Sequence, residues 1–268
     1  MNALILWIRI IGALLPLLYA SISDLRTRMV KHELTWLIMI IVGSIAAILE
    51  AILFQDLRIL LDLAINVGLS FAVAFLLFYA GLFGGADGKA LIGIAFLFPR
   101  PPSIVLGWGF RPLLPFFFLT ILSNALLLTV LVPLALVIRN FADYISNRDL
   151  FSGLENEPFW KKALTIFIGF RTNFPPPPHV YPLLNIEEVN GVLTPQLKLF
   201  NKISDESEES DDTNLQTIKE FLYQNEKTKI KRLWVSPGIP FLIPVTLGFL
   251  VALIIGDLLL LILNILIP

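Results

Sequence analysis

The chain has 268 residues, 56% of them hydrophobic and only 15% charged, with a mean hydropathy of +0.80. Soluble domains are about 45 to 50% apolar, so this composition belongs in a bilayer. A formal net charge of −1 with scattered basic residues argues against a nucleic-acid partner, and the absence of cysteine excludes disulfides, thiolate nucleophiles and cysteine-ligated zinc.

A membrane-crossing helix needs roughly 20 mostly apolar residues. Residues 3–22, 34–54 and 60–83 each meet that length. The first run is read as a span rather than a secretory signal, because no small-residue cleavage site follows it and its basic residues come after it, not before. A fourth candidate, 89–98, has half the needed length before Pro99-Arg100-Pro101-Pro102, with 104–109 able to extend its apolar surface. Residues 116–138 make a fifth span and 239–267 a sixth, long enough to tilt.

Orientation follows from the basic residues at span ends. Arg26, Arg28 and Lys31 follow the first span, Lys89 the third, and Arg139, Arg148, Lys161 and Lys162 the fifth; Arg58, Arg100 and Arg111 lie on the other side. The first group is expected in the cytoplasm, with both termini outside. The expected fold is an all-α polytopic membrane protein of about six transmembrane helices with a small cytoplasmic soluble domain inserted before the last helix. Its expected parts are a membrane domain over 1–139, an insert over 140–235 and the last helix over 236–268.

Within the insert, Phe159-Trp160 and 164–170 carry enough apolar residues to fold or to lie on the membrane surface. Pro175 to Pro178 enforces an extended turn, the acidic tract Ser204 to Asp212 reads as a solvated linker, and 215–224 has helical spacing.

Two aspartates stand out. Asp24, in Ser23-Asp24-Leu25-Arg26-Thr27-Arg28, directly follows the first span, and Asp87, in Gly84-Gly85-Ala86-Asp87-Gly88-Lys89, directly follows the third. An even number of crossings separates them, so both fall at the same membrane edge. Two carboxylates brought within a few ångströms share a proton and titrate as a unit. Such a pair holds a water between an ionised general base and a protonated partner, with no metal or other cofactor.

The neighbouring residues have two readings each. Glycines around Asp87 permit close approach of a substrate strand, or simply make the turn between spans. Arg26, Arg28 and Lys89 are topology determinants, while Arg28 is also placed four residues from Asp24 to pair with it, and Lys89 to hold Asp87 ionised or to stabilise charge on a substrate oxygen. Pro237, Pro240 and Pro244 either free carbonyls for an extended substrate or shape the last helix. Arg9 and Glu50 read as snorkelling to the outer surface, and Asp257 as a helix contact or interfacial residue. His32-Glu33-Leu34-Thr35-Trp36 starts like a zinc-protease motif, but Trp36 replaces the second histidine.

The segments Ser23 to Arg28 and Gly84 to Lys89 resemble the two aspartate motifs of the type IV prepilin peptidases, above all their archaeal preflagellin and prepilin branch, which are GxGD-type intramembrane aspartyl proteases. Pro237-Gly-Ile-Pro240 with Ile243-Pro244 is similar to that branch's final span. Ala86 departs from the signature, standing where its second glycine belongs. The resemblance implies Asp24 and Asp87 as catalytic residues, with Gly84, Gly85, Ala86, Gly88, Lys89, Arg26, Arg28 and Pro240 in support. It implies removal of a short basic leader from archaellin or type IV pilin-like precursors at the cytoplasmic face of the cell membrane, the bilayer being the other partner. The rival is a proton- or cation-coupled transporter, in which Asn66, Asn124 and Asp257 matter as much as the two aspartates; a further alternative is a non-catalytic protein of filament assembly.

Overall fold

The computed structural model describes residues 3–30, 32–102, 115–147, 149–178, 180–189, 192–199, 215–221, 232–238 and 240–266. In chain order the elements are α1 (Ala3–Thr27), α2 (Leu34–Phe54), α3 (Arg58–Tyr79), α4 (Gly85–Leu97), α5 (Phe117–Thr129), α6 (Leu131–Asn147), α7 (Phe159–Ile168), β1 (Phe170–Thr172), β2 (Val180–Pro182), β3 (Leu184–Val189), β4 (Val192–Leu197), α8 (residues 215–221), β5 (Leu233–Pro237), α9 (Leu242–Ile254) and α10 (Leu258–Leu266). The chain divides into two compact units: Met1–Val130 with Pro240–Pro268, and Leu131–Ile239.

The first unit is helical and apolar on its outside. Four helical stretches among the described residues are long and apolar enough to cross a membrane: Ala3–Thr27, Leu34–Phe54 and Arg58–Tyr79 in this unit, and Phe117–Ser146, which comprises α5 and nearly all of α6 and so continues into the second unit. Their outward faces expose large side chains such as Leu15, Ile52, Leu61 and Phe75, as a lipid-facing surface requires.

Two expected spans are resolved differently. The fourth is α4, only 13 residues long and packed against α1, α2, α3, α5 and α9. Ala90, Leu91, Ile94, Ala95 and Leu97 have no exposed surface, so its all-round apolar sequence serves a core helix. Gly43 permits the approach of α2, since a Cβ there would lie 2.5 Å from the Phe96 carbonyl group. The expected extension over 104–109 lies outside the described residues.

The sixth expected span is broken into α9 and α10 at Gly256, whose φ of 98° favours glycine. Asn124 of α5 mends the break: its amide donates to the Gly256 carbonyl at 2.9 Å, and its carbonyl accepts from the Leu258 amide at 2.9 Å. Asp257 caps α10 by accepting from the Leu259 amide at 3.0 Å. It is therefore a buried helix cap, one of the two roles expected of it.

The snorkelling reading of Arg9 and Glu50 is overturned. Arg9 is 1% exposed, donates to the Glu50 carboxylate at 2.7 Å and to the Leu97 carbonyl at 2.9 Å. The Asn66 amide adds bonds to the Ala95 and Phe98 carbonyls, both at 2.9 Å. The physical reason is the shortness of α4. Its last carbonyls end inside the unit, where water cannot satisfy them, and these donors do.

The second unit is not all-helical. β5 is the centre of a three-stranded antiparallel sheet, order β1-β5-β2, with Phe170 opposite Val235 and Pro182 opposite Val235 on the other side. β3 and β4 form an antiparallel hairpin. Trp234, Val235, Leu184, Leu233 and Ile218 fill the core with Phe170, so the apolar run 159–170 folds into α7 and β1. The helical spacing over 215–224 is realised over 215–221, where Ile218 and Phe221 are buried. Short strands among prolines escaped the sequence reading because three to six residues carry too little periodicity. The acidic tract 204–212, together with Lys31, Arg111 and Arg148, lies outside the described residues.

Candidate active site

Asp24 occupies the last turn of α1. The turn beyond it is held by the Arg28 amide, which donates to the Asp24 carbonyl at 3.0 Å, and by the Ser23 and Thr27 hydroxyls, which donate to the Met29 carbonyl at 2.8 and 2.9 Å. Arg28 leaves the helix with φ 55°, so it is not the continuing i+4 neighbour the spacing suggested; its charge acts on Asp24 from the turn. Arg26 is exposed at the helix end.

The Asp24 carboxylate faces the backbone amide of Leu242, the first residue of α9. The first amides of a helix have no partner within it, and together they carry partial positive charge that suits an anion.

Asp87 stands in the first turn of α4, where its carboxylate accepts from the Gly84 amide at 2.9 Å and so caps its own helix. Both carboxylates thus sit at helix N-termini. The Phe83 and Phe241 rings, 4.9 Å apart, pack the residue before Gly84 against the residue before Leu242. The start of α9 is therefore in contact with the segments bearing both aspartates.

Burial pushes the Asp87 carboxyl up to about 6; the Gly84 hydrogen bond opposes this, and the charge of Asp24 adds to it. The two groups are close enough to feel each other.

The supporting residues separate into access and packing. An added Cβ at Gly85 meets nothing, leaving open space beside Asp87. Gly88 is buried, and a Cβ there would press on that of Ala74 at 3.3 Å, so its smallness lets α4 meet α3. At Gly84 a Cβ would lie 3.3 Å from the Asp87 carboxylate. Ala86 packs its methyl against the main core, a task a glycine could not perform.

Lys89 is paired with Glu33 at the start of α2. Its ammonium is thereby engaged outside the aspartate pair rather than free for Asp87. The Pro240 carbonyl accepts from the Ile243 amide at 3.1 Å, which favours helix shaping over an open site for substrate backbone.

Sequence reading missed Ser21 and Thr246, and considered Glu33 only within an incomplete zinc motif, not as the partner of Lys89. Ser21 and Thr246 bond to each other at 2.7 Å, joining α1 to α9 one turn from Asp24. A signal existed: Ser21 lies three residues before Asp24 and so shares its helical face.

Two family models cover most of the chain: the Type IV leader peptidase family matches residues 11–132, and Archaeal Peptidase A24 C-terminus Type II matches 161–258. The chain belongs to the type IV leader peptidase family. It is a membrane protease of the aspartic type, and Asp24 and Asp87 both fall within the first matched segment. Relatives include a preflagellin peptidase of Methanococcus maripaludis, 28% identical over 92% of this chain and 94% of its own length, and one of Methanocaldococcus jannaschii, 25% identical over 92% and 93%. A third, from Methanococcus voltae, is 22% identical over 91% and 93%. For this leader peptidase the similarity thus extends through both units rather than over the aspartate segments alone.

Proposed function

We propose that this peptidase cuts the short basic leader from archaellin or type IV pilin-like precursors at the cytoplasmic face of the membrane, with Asp24 and Asp87 activating the attacking water. The observation that carries the reading is the convergence of the two carboxylate-bearing segments on the start of α9. Relatives named preflagellin peptidase, similar over nearly their whole length, support the substrate class.

In the proposed reaction Asp24 acts as general base and takes a proton from the water, whose oxygen adds to the scissile carbonyl. Asp87, half-buried and inclined to hold the shared proton, donates a hydrogen bond to the carbonyl oxygen as negative charge develops there. Collapse of the tetrahedral intermediate breaks the C–N bond, and the leaving nitrogen takes a proton from the pair. The peptide must be extended at the cut, which the junction between a leader and its apolar helix allows.

The transporter reading draws no support from the residues it would need. Asn66 bonds to the end of α4, Asn124 to the break in α9 and α10, and Asp257 to the first amides of α10. Each has a structural task.

The test is cleavage of an archaellin precursor and a pilin precursor in detergent by the parent, by Asp24→Asn and by Asp87→Asn, with insertion checked for each. The parent is expected to cut, and each variant to lose at least about a thousandfold, the scale of removing a group needed only in the transition state. Cutting that survives either substitution removes that residue from the mechanism.

A further inference from the structure

Beyond the two aspartates, α1 and α9 are joined by a polar cluster in otherwise apolar packing. The Ser21 hydroxyl lies 3.0 Å from the Leu242 carbonyl and 2.7 Å from the Thr246 hydroxyl. Thr246 in turn reaches the Leu242 carbonyl at 2.9 Å and the Leu17 carbonyl at 3.3 Å. Ser21 is 8% and Thr246 4% exposed, so water does not compete for these bonds.

Leu242 connects this cluster to the site. Its carbonyl lies within hydrogen-bond reach of both hydroxyls, whose two protons are shared among this carbonyl, the Leu17 carbonyl and the Ser21–Thr246 contact, and its amide faces the Asp24 carboxylate. Ser21 and Asp24 are three residues apart, on one face of α1. One residue of α9 therefore meets two positions of α1 one turn apart, with a carbonyl for the first and an amide for the second. A shift or rotation of α9 that breaks the hydroxyl cluster also withdraws the amide from Asp24.

We propose that Thr246 is a positioning residue for Asp24, setting through Leu242 the place of the helix amide that the carboxylate faces. The proposal rests on the reading of Asp24 as a catalytic carboxylate. Thr246 touches no reacting atom itself, and its hydroxyl rather than its bulk is the active part. The hydroxyl has one proton to donate and accepts as well, so serine can replace it, whereas valine keeps the shape and loses both functions.

The control is within the same unit. Thr120 is 3% exposed, and its hydroxyl has no partner among the described residues. Thr120→Val is the same chemical change at a buried threonine without the connection.

The experiment measures kcat and KM for precursor cleavage by the parent, Thr246→Val, Thr246→Ser and Thr120→Val, each purified in detergent and matched for folded fraction. Thr246→Val is expected to lower kcat by about ten- to a hundredfold with KM little changed, since misplacement of about 1 Å costs about a hundredfold. Thr246→Ser should recover most of that loss, and Thr120→Val should cut like the parent. A parent-like kcat in Thr246→Val overturns the positioning role while leaving the peptidase reading intact. So does a serine variant as slow as the valine one, or an equal loss in Thr120→Val, because either assigns the effect to packing. A parent that cuts no precursor overturns the peptidase reading, and this inference with it.

Discussion

The two ends of α4 are held by the same kind of chemistry with opposite energetics. At its C-terminal end Arg9 is paired with Glu50, both nearly sealed from solvent, and Asn66 binds two more carbonyls. At its N-terminal end, two residues beyond Asp87, Lys89 is paired with Glu33 with 46% and 73% of the side chains exposed. Breaking a buried pair from one side costs about 3–5 kcal/mol, because the other charge is left stranded, whereas an exposed pair is worth about 0–1 kcal/mol. α4 is thus anchored by a buried pair at its C-terminal end and by an exposed one near the end that bears Asp87.

The largest effect is expected at Arg9. Arg9→Met, leaving Glu50 buried and unpaired, is expected to destabilise the protein by about 3–5 kcal/mol, read as a fall in thermal stability in detergent. The double variant Arg9→Met with Glu50→Leu should recover most of the loss. A single variant as stable as the parent would show that the C-terminal end is not the anchor.

Asn66→Leu comes next. It strips the Ala95 and Phe98 carbonyls of their donor, with an expected cost of about 1–3 kcal/mol and more frequent opening of α4 in hydrogen exchange. Unchanged exchange at α4 would remove Asn66 from the anchor.

A pH series addresses the other end. With the Asp87 carboxyl raised to about 6, the folded state holds its proton more tightly than the unfolded chain does. The stability this contributes is complete below the unfolded carboxylate range, near pH 4, and is lost as pH rises through about 6, with a slope of at most about 1.4 kcal/mol per pH unit. Thermal melts at successive pH values should show that decline in the parent and lack its Asp87 part in Asp87→Asn. Identical profiles would mean that Asp87 is not the group whose burial is felt.

The smallest effect is expected at the exposed pair. Lys89→Gln should change stability by no more than about 1 kcal/mol and less still at high salt. A loss comparable with that of Arg9→Met would make the two ends of α4 equivalent.

Much of the membrane unit was legible in the sequence because long apolar runs have few alternatives: backbone groups facing lipid must be satisfied internally, and a helix does so. Asp24 and Asp87 were legible for the same reason, as ionisable groups at the ends of such runs. Arg9 and Glu50 were misread, because from one helix alone a charge within a span has only the route to the surface. Its actual partner lies 41 residues away in the chain. The strands of the insert were missed because β1 and β2 have three residues each and the order β1-β5-β2 joins segments far apart in sequence.

The sequence by itself determined that this is a membrane protein, where its long spans run, and which two carboxylates are the candidates for chemistry, since hydrophobicity and ionisable charge are properties of the residues themselves. Only the tertiary structure decided that α4 is a short core helix whose carbonyls recruit Arg9 and Asn66, that the last span breaks at Gly256, and that Leu242 offers its amide to Asp24 and its carbonyl to Ser21 and Thr246. Those facts depend on which donor meets which acceptor across the bundle. A buried hydrogen bond takes its partner from whatever segment packing brings within about 3 Å, and no local pattern along the chain records that choice.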